Sequence, residues 1–95
     1  MKKLLNTLYI TSENKYLSLD GENVVIKEEG AELGRMPLHN LEMIVTFSRA
    51  GASPALMGKC ADNNISIVFL TPSGSFLARV EGKTKGNVLL RKKQY

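Results

Sequence analysis

Four side chains are the first candidates for catalysis or metal binding: His39, Asp20, Asp62 and Cys60. General acid–base catalysis needs paired titratable groups in one site. His39, the only histidine, lies at a predicted bend, where we expect it to bond to turn backbone. Neither aspartate has a second carboxylate at ligand spacing, which argues against a magnesium site, and Cys60 is expected to be a small core residue rather than a nucleophile. The sequence predicts no catalytic, cofactor or metal site within these 95 residues.

A second group of side chains is suited to binding anions. The net charge is +4, yet residues 1–78 hold seven basic and eight acidic side chains, whereas residues 79–95 hold six basic and one acidic. This asymmetry favours an anionic partner, nucleic acid first, although a solvated basic tail would have the same composition. Contacts to phosphate give affinity without sequence preference. The candidate nucleic-acid contacts are Arg49, Lys59, Arg79, Lys83, Lys85, Arg91, Lys92 and Lys93.

Short strands must position these residues. Alternation of apolar and polar side chains, or short runs rich in β-branched residues, predict strands over residues 4–10, 16–19, 23–27, 33–38, 43–47, 65–70 and 76–80. Asp20-Gly21 predicts a tight hairpin between the second and third of them. Pro37 puts the fourth at an edge or a strand end. The nearly unbroken apolar run at 43–47 is typical of a strand that is covered on both faces.

One helix is predicted over about residues 53–63. Ser53 can cap its first turn and Pro54 suits the first helical position, while Asn63 and Asn64 suit a left-handed end. Gly58 should cost about 1 kcal/mol relative to alanine, which a close approach to a sheet would explain. The strand–helix–strand order from 43 to 70 predicts a crossover between near-parallel strands. An apolar stripe on the helix consists of Leu56, Met57, Cys60 and Ala61.

The fold class is therefore mainly β: a small two-layered sheet or half-open β-sandwich of about seven short strands with one packed helix. We interpret residues 1–81 as an N-terminal β-domain and residues 82–86, rich in glycine and charge, as a linker. Residues 87–95 are predicted to begin a second helix capped by Asn87. Because so short a helix is unstable alone, we expect it to be the first turns of a missing helical domain and the chain to be a truncated piece of a longer protein.

The compartment is expected to be the cytoplasm. No window approaches the roughly 18 to 20 consecutive apolar residues that span a bilayer, and the N-terminal lysines and leucines lead to no cleavage site for export. The single cysteine cannot form an internal disulfide, makes a zinc site implausible and fits a reducing environment. We therefore expect no membrane partner.

Six segments, taken in order, resemble a known family. They are 19–25 (LDGENVV), 37–42 (PLHNLE), 51–57 (GASPALM), 69–74 (FLTPSG), 76–80 (FLARV) and 86–91 (GNVLLR). Together they resemble the N-terminal β-domain of the CRISPR-associated endonuclease/integrase, the catalytic subunit of the spacer-acquisition complex. The amino-acid sequence of these segments is most similar to the subtype I-C branch. The resemblance covers essentially the whole chain.

This resemblance implies a parent enzyme that inserts new spacers into CRISPR arrays during the adaptation stage of antiviral defence. In the family, a glutamate, a histidine and an aspartate of a helical domain hold Mg²⁺ or Mn²⁺ and catalyse the cutting and joining of DNA. None of those positions exists here, so this chain alone should be inactive as a nuclease. The β-domain is expected to form a homodimer, to help position double-stranded DNA, and to work with the small second adaptation subunit.

Two alternatives from other classes stay open at this point. One is a free-standing β-domain that binds nucleic acid through its basic C-terminal tail. The other is a purely protein-binding domain that uses the exposed edges around residues 33–38.

Overall fold

Two β-sheets and one helix form the fold in a computed structural model, which describes residues 2–4, 6–81 and 89–92. The large sheet has the order β1-β2-β6-β7-β8-β9 and the small sheet the order β3-β4-β5. The elements are β1 Lys2–Leu4, β2 Thr7–Ile10, β3 Lys15–Asp20, β4 Asn23–Glu28, β5 Ala31–Pro37, a 3₁₀ turn Leu38–Asn40, β6 Met43–Thr46, α1 Pro54–Asp62, β7 Ser66–Leu70, β8 Phe76–Glu81 and β9 Leu89–Lys92. The predicted mainly-β fold with one packed helix is confirmed.

The centre of the large sheet is parallel. β6 pairs in parallel with both β2 and β7, and α1 is the crossover that joins β6 to β7, as predicted. Leu8, Ile44 and Ile67 face the core from these three strands and are fully buried. The opposite face, with Met43 and Val45, is only half-buried. Coverage on both faces was therefore the wrong expectation for residues 43–47, because α1 and the small sheet pack against one face only.

The small sheet is built from two hairpins. Gly21, with φ 61°, takes the first position of the predicted β3–β4 turn, where glycine adopts a positive φ without steric cost. Glu29 and Gly30 both have positive φ, 53° and 84°, in the β4–β5 turn. The register of β4 with β5 then shifts by one residue and leaves Leu33 without a partner, so β5 carries a bulge.

Residues 48–53 form a seam that joins the two sheets. The buried Ser48 hydroxyl donates to the carbonyl oxygens of Glu13 and Lys15. Leu17 N–H donates to the Gly51 carbonyl at 3.1 Å, and Ser53 N–H donates to the Leu17 carbonyl at 2.8 Å. These bonds occupy the outer edge of β3, which would otherwise be open to pairing with another chain.

Helix α1 begins and ends as its sequence predicts. Ser53 Oγ accepts from Leu56 N–H at 3.1 Å, and Pro54 is the first helical residue. Asn64 has φ 60° just beyond the last turn. Gly58 is exposed, and a Cβ added to it would meet nothing within 4 Å, so the expected close approach to a sheet is wrong.

Both ends of the chain depart from the prediction. The single strand expected over residues 4–10 is two antiparallel strands, β1 and β2, with Asn6 at φ 64° between them. The helix expected after Asn87 is contradicted at Leu89–Lys92, which form β9 antiparallel to β8. A two-turn helix has no partners for its terminal backbone groups, whereas the open edge of β8 provides them. The predicted linker at 82–86 and the cap Asn87 lie outside the described residues.

No helix in the described part of the chain is long and apolar enough to cross a membrane.

Candidate nucleic-acid interface

The four side chains first considered for chemistry do not form a site. Across residues 2–4, 6–81 and 89–92, no group of three His, Cys, Asp or Glu side chains could hold a metal ion. The described residues therefore do not fit the divalent ion that the family resemblance implies. Asp20 instead accepts from Arg35 Nη1 at 3.0 Å. His39 is exposed in the 3₁₀ turn with no side-chain hydrogen bond to any described residue, so the expected bond to turn backbone is wrong.

Cys60 is a core residue, as predicted. It is fully buried on the inner face of α1, and the loss of hydration raises the pKa of its thiol to about 12. A thiolate is the nucleophilic form of cysteine, and burial disfavours it. Cys60 is therefore neutral and unreactive at physiological pH.

Lys59 is tied to the domain's own acid. Its Nζ donates to Glu22 Oε2 at 2.8 Å, and this hydrogen bond raises the pKa of the lysine. The pair connects α1 to the β3–β4 turn across 37 positions of sequence. Because the carboxylate offsets the charge of the ammonium, Lys59 is a weaker candidate for a phosphate contact than its position on the helix suggested.

Arg49 lies exposed in the seam. Its backbone N–H donates to the Glu13 carbonyl at 2.9 Å, and this bond fixes the backbone position from which the side chain extends. Among the described residues no carboxylate lies within ion-pair distance of its guanidinium. Arg49 is one of the residues that line an apolar cavity.

Arg79 lies on the outer face of β8, opposite Val68. Its Nε is buried and has no hydrogen-bond acceptor among the described residues, since the nearest carboxylate oxygen, Glu81 Oε2, is 3.6 Å away. That separation exceeds hydrogen-bond length. The side chain is 39% exposed, so the guanidinium has donors free for a partner on this face.

Strand β9 brings a second arginine into register with the first. Arg91 is the Cα partner of Arg79, and Lys92 is the partner of Ala78. Strand pairing thus places two arginines at opposite backbone positions of β8 and β9. The candidates Lys83, Lys85 and Lys93 lie outside the described residues.

Sequence reasoning missed the apolar cavity. It has a volume of about 330 Å³ and lies between residues 48–52, Met57, Phe69, Leu77 and Ala78. Its parts come from four separate segments, so no local pattern could predict it. One signal was present: Leu77 is a large apolar residue at an outward position of an alternating strand, and 42% of it is exposed.

The small sheet carries a network of ion pairs that sequence reasoning also missed. Arg35 donates to both carboxylate oxygens of Glu32 at 2.8 Å and to Asp20 at 3.0 Å. The hydrogen bond from Arg35 lowers the pKa of Glu32, and the two acids raise the pKa of Arg35. On the same sheet, Lys15 Nζ lies 2.9 Å from Glu28 Oε1.

Comparisons with known proteins agree with this architecture. Residues 8–95 match the model of the family "CRISPR associated protein Cas1". Over all 95 residues the chain is 53% identical to "CRISPR-associated endonuclease Cas1 2" of Rhodospirillum rubrum, and it spans 28% of that protein's length. Among solved structures, it resembles a chain of a Cas6-RT-Cas1–Cas2 complex, with TM-score 0.74 and 12% identity over 86% of this chain and 9% of that one. It also resembles a TtCas1–DNA complex, with TM-score 0.66 and 17% identity over 88% and 32%.

Proposed function

The chain belongs to the CRISPR-associated Cas1 family, and from that premise we propose that it is the dimerisation and DNA-positioning domain of a metal-dependent endonuclease and integrase that inserts new spacers into CRISPR arrays. The R. rubrum relative is an endonuclease of which this chain spans 28%. The described residues offer no set of metal ligands. The proposal therefore assigns the cutting and joining of DNA, with the Mg²⁺ or Mn²⁺ that these reactions need, to residues beyond the described ones. The subtype I-C assignment and the cytoplasmic location stay predictions.

One observation carries the DNA-positioning role: the pairing of Arg79 with Arg91 across β8 and β9. A guanidinium forms forked, charge-assisted hydrogen bonds to phosphate. Phosphate contacts bind duplexes of any sequence, which suits a domain that must hold foreign DNA fragments regardless of their bases. The name of the TtCas1–DNA complex, a structure of the same fold, supports DNA as this partner.

The proposed protein partners are a second copy of the chain and the small second adaptation subunit. The name of the Cas6-RT-Cas1–Cas2 complex supports the latter, since a chain of the same fold occurs there with Cas2. Dimerisation would place two β8–β9 edges on one assembly. Two positively charged edges would hold a duplex at two points. Two points of contact fix the orientation of the duplex, whereas a single point does not.

A fluorescence-anisotropy titration of a short labelled duplex tests the DNA-positioning role. At low salt the chain should bind two duplexes of unrelated sequence with equal affinity. Arg79→Gln should weaken binding to both, because it removes the positive charge of a side chain that is 39% exposed. Lys59→Gln is the matched control: it removes the same charge, but from a lysine already paired with Glu22, and should leave the affinity unchanged.

The opposite outcomes are equally clear. Failure of the wild-type chain to bind duplex at low salt would remove the DNA-positioning role. Equal weakening by Arg79→Gln and Lys59→Gln would show that binding depends on overall charge rather than on this edge. Binding that depends only on the basic C-terminal tail would instead favour the free-standing nucleic-acid-binding module.

A further inference from the structure

The bulge in β5 presents a large apolar side chain to solvent. Ile26 pairs with Gly34 and Lys27 with Glu32, so Leu33 is the extra residue. It is 55% exposed, the highest value for a large apolar side chain in the described part of the chain. A bulge re-aims the side chain that it carries and is a specific structural feature rather than a defect. Leu33 therefore projects from the far edge of the small sheet.

Three acidic residues share the hairpin of this leucine. Glu28, Glu29 and Glu32 lie there, with Lys27 opposite Glu32, and we call the three glutamates and Leu33 the acidic knob. Glu28 is paired with Lys15 and Glu32 with Arg35. Glu29, exposed in the turn, has no ion pair with any described residue. The acidic knob thus combines one projecting apolar side chain with one free carboxylate.

The 330 Å³ cavity has the complementary character. Met57, Phe69, Leu77 and Ala78 make its walls apolar, and Arg49, which also lines it, has no acidic partner among the described residues. Cavities of roughly 150 Å³ lined by apolar side chains take up a molecule the size of benzene. This cavity is therefore large enough for a leucine side chain, and its one charge is opposite to that of Glu29.

We propose that a second copy of the chain inserts its acidic knob into this cavity, with Leu33 inside it and Glu29 against Arg49. The inference rests on the dimerisation proposed above and names its surface. A chain does not fill its own cavity, since Leu33 stays more than half exposed in the folded domain. A two-fold axis would form the contact twice, each copy supplying one knob and one cavity.

Pairing of two β5 edges is a poorer route to a dimer. The bulge interrupts the ladder, Pro37 lacks the N–H that a new strand would need, and charged side chains line the strand. Each of these features discourages edge-to-edge addition. The same segment is therefore suited to inserting a side chain and unsuited to adding a strand.

The inference also assigns the arginines to different interfaces. Arg49 belongs to the protein interface, and Arg79 with Arg91 to the DNA interface. Variants at Arg49 should change self-association and leave the contribution of the β8–β9 edge to DNA binding intact.

Sedimentation equilibrium of the chain at high micromolar concentration tests the contact. Leu33→Ala should raise the dimer dissociation constant about tenfold to a hundredfold, the scale of burying a leucine side chain. Arg49→Glu and Glu29→Arg should each weaken the dimer, and the double variant R49E/E29R should regain most of the loss because the charges are exchanged. Tyr16→Ala is the control: Tyr16 is also exposed on the small sheet, at 36%, but is not part of the acidic knob.

Each other result overturns the inference in a recognisable way. If Leu33→Ala and Arg49→Glu leave the dimer dissociation constant unchanged, this contact is wrong. The proposed dimerisation would then stand, through another surface. A wild-type chain that stays monomeric removes both the contact and the dimerisation role. Neither result alters the duplex titration, so failure of the DNA-positioning role is seen separately.

Discussion

The two sheets treat their charges differently. On and beside the small sheet, cations are held by the domain's own acids at 3.0 Å or less, whereas the nearest carboxylate to Arg79 in the large sheet is 3.6 Å from its Nε. A paired cation contributes little field to its surroundings, and an unpaired one attracts anions. The small-sheet pairs are Lys15–Glu28, Arg35–Asp20, Arg35–Glu32 and Lys59–Glu22.

The difference shows that counting basic residues is not enough to locate a phosphate-binding surface. By sequence, Lys59 and Arg79 were equivalent candidates. By structure, Lys59 is hydrogen-bonded to Glu22 at 2.8 Å, whereas the ion pair of Arg79 with Glu81 is longer than a hydrogen bond, at 3.6 Å. We therefore propose the large sheet as the surface for DNA and the small sheet as the surface for protein contacts, including the acidic knob.

The largest expected effect comes from breaking the connection between the two sheets. Ser48→Ala removes the hydroxyl that bonds to the Glu13 and Lys15 carbonyls and accepts from Ala50 N–H. The Glu13 carbonyl keeps Arg49 N–H as a donor, so the loss falls mainly on the Lys15 carbonyl. Removing the partner of one such group costs about 1–3 kcal/mol, and the free energy of unfolding should fall by about that amount in a urea titration. Ser18→Ala, on the half-buried outer face of β3, is a control that should be near neutral. Equal losses in both variants would contradict the role of the seam.

Alkaline pH should lower the stability of the domain through Cys60, because its thiol ionises more readily in the unfolded chain than in the folded core. The pKa of its thiol is about 12 in the folded domain, against an ordinary value of 9.0. Because the thiol pKa is higher in the folded state, the contribution of Cys60 to the free energy of unfolding is complete below pH 9. It declines by about 1.4 kcal/mol per pH unit as pH rises towards 12. Chemical denaturation at a series of pH values should show the stability gap between wild type and Cys60→Ala narrowing over this range. A gap that is constant from pH 8 to 11 would contradict it.

A smaller and opposite effect is expected on the exposed face of the same helix. Gly58→Ala adds a methyl group into open space and restores helix propensity. The variant should be about 1 kcal/mol more stable in thermal or urea unfolding. Since Gly58 lies outside both proposed interfaces, dimerisation and DNA binding should not change. A loss of stability would mean that the helix surface is covered by a partner.

Local signals made much of the fold predictable. Ser53-Pro54 specified the start of α1, and Asp20-Gly21 specified the β3–β4 turn, because caps and tight turns depend on neighbouring residues. The strand–helix–strand order gave the parallel pairing of β6 with β7. The family resemblance was likewise readable in six short segments, and the family match confirms it.

Non-local contacts decided what the sequence could not predict. Residues 89–92 look helical alone, but the open edge of β8 makes them a strand. Lys59 finds Glu22 only when α1 packs beside the β3–β4 turn. The bulge that exposes Leu33 arises from a register shift between two strands, and the cavity exists only once the seam lies between α1 and β8.

The most direct test of the account compares the two sheets in one measurement, the salt dependence of duplex affinity. The double variants Arg79→Gln/Arg91→Gln and Arg35→Gln/Lys59→Gln remove the same charge from the large-sheet edge and from the ion-paired cations. Each phosphate contact contributes about 0.9 to the slope of log K against log salt. We expect the magnitude of this slope to decrease by about two for the first variant and to stay at the wild-type value for the second. An equal change in both slopes, or a change in the second alone, would contradict it.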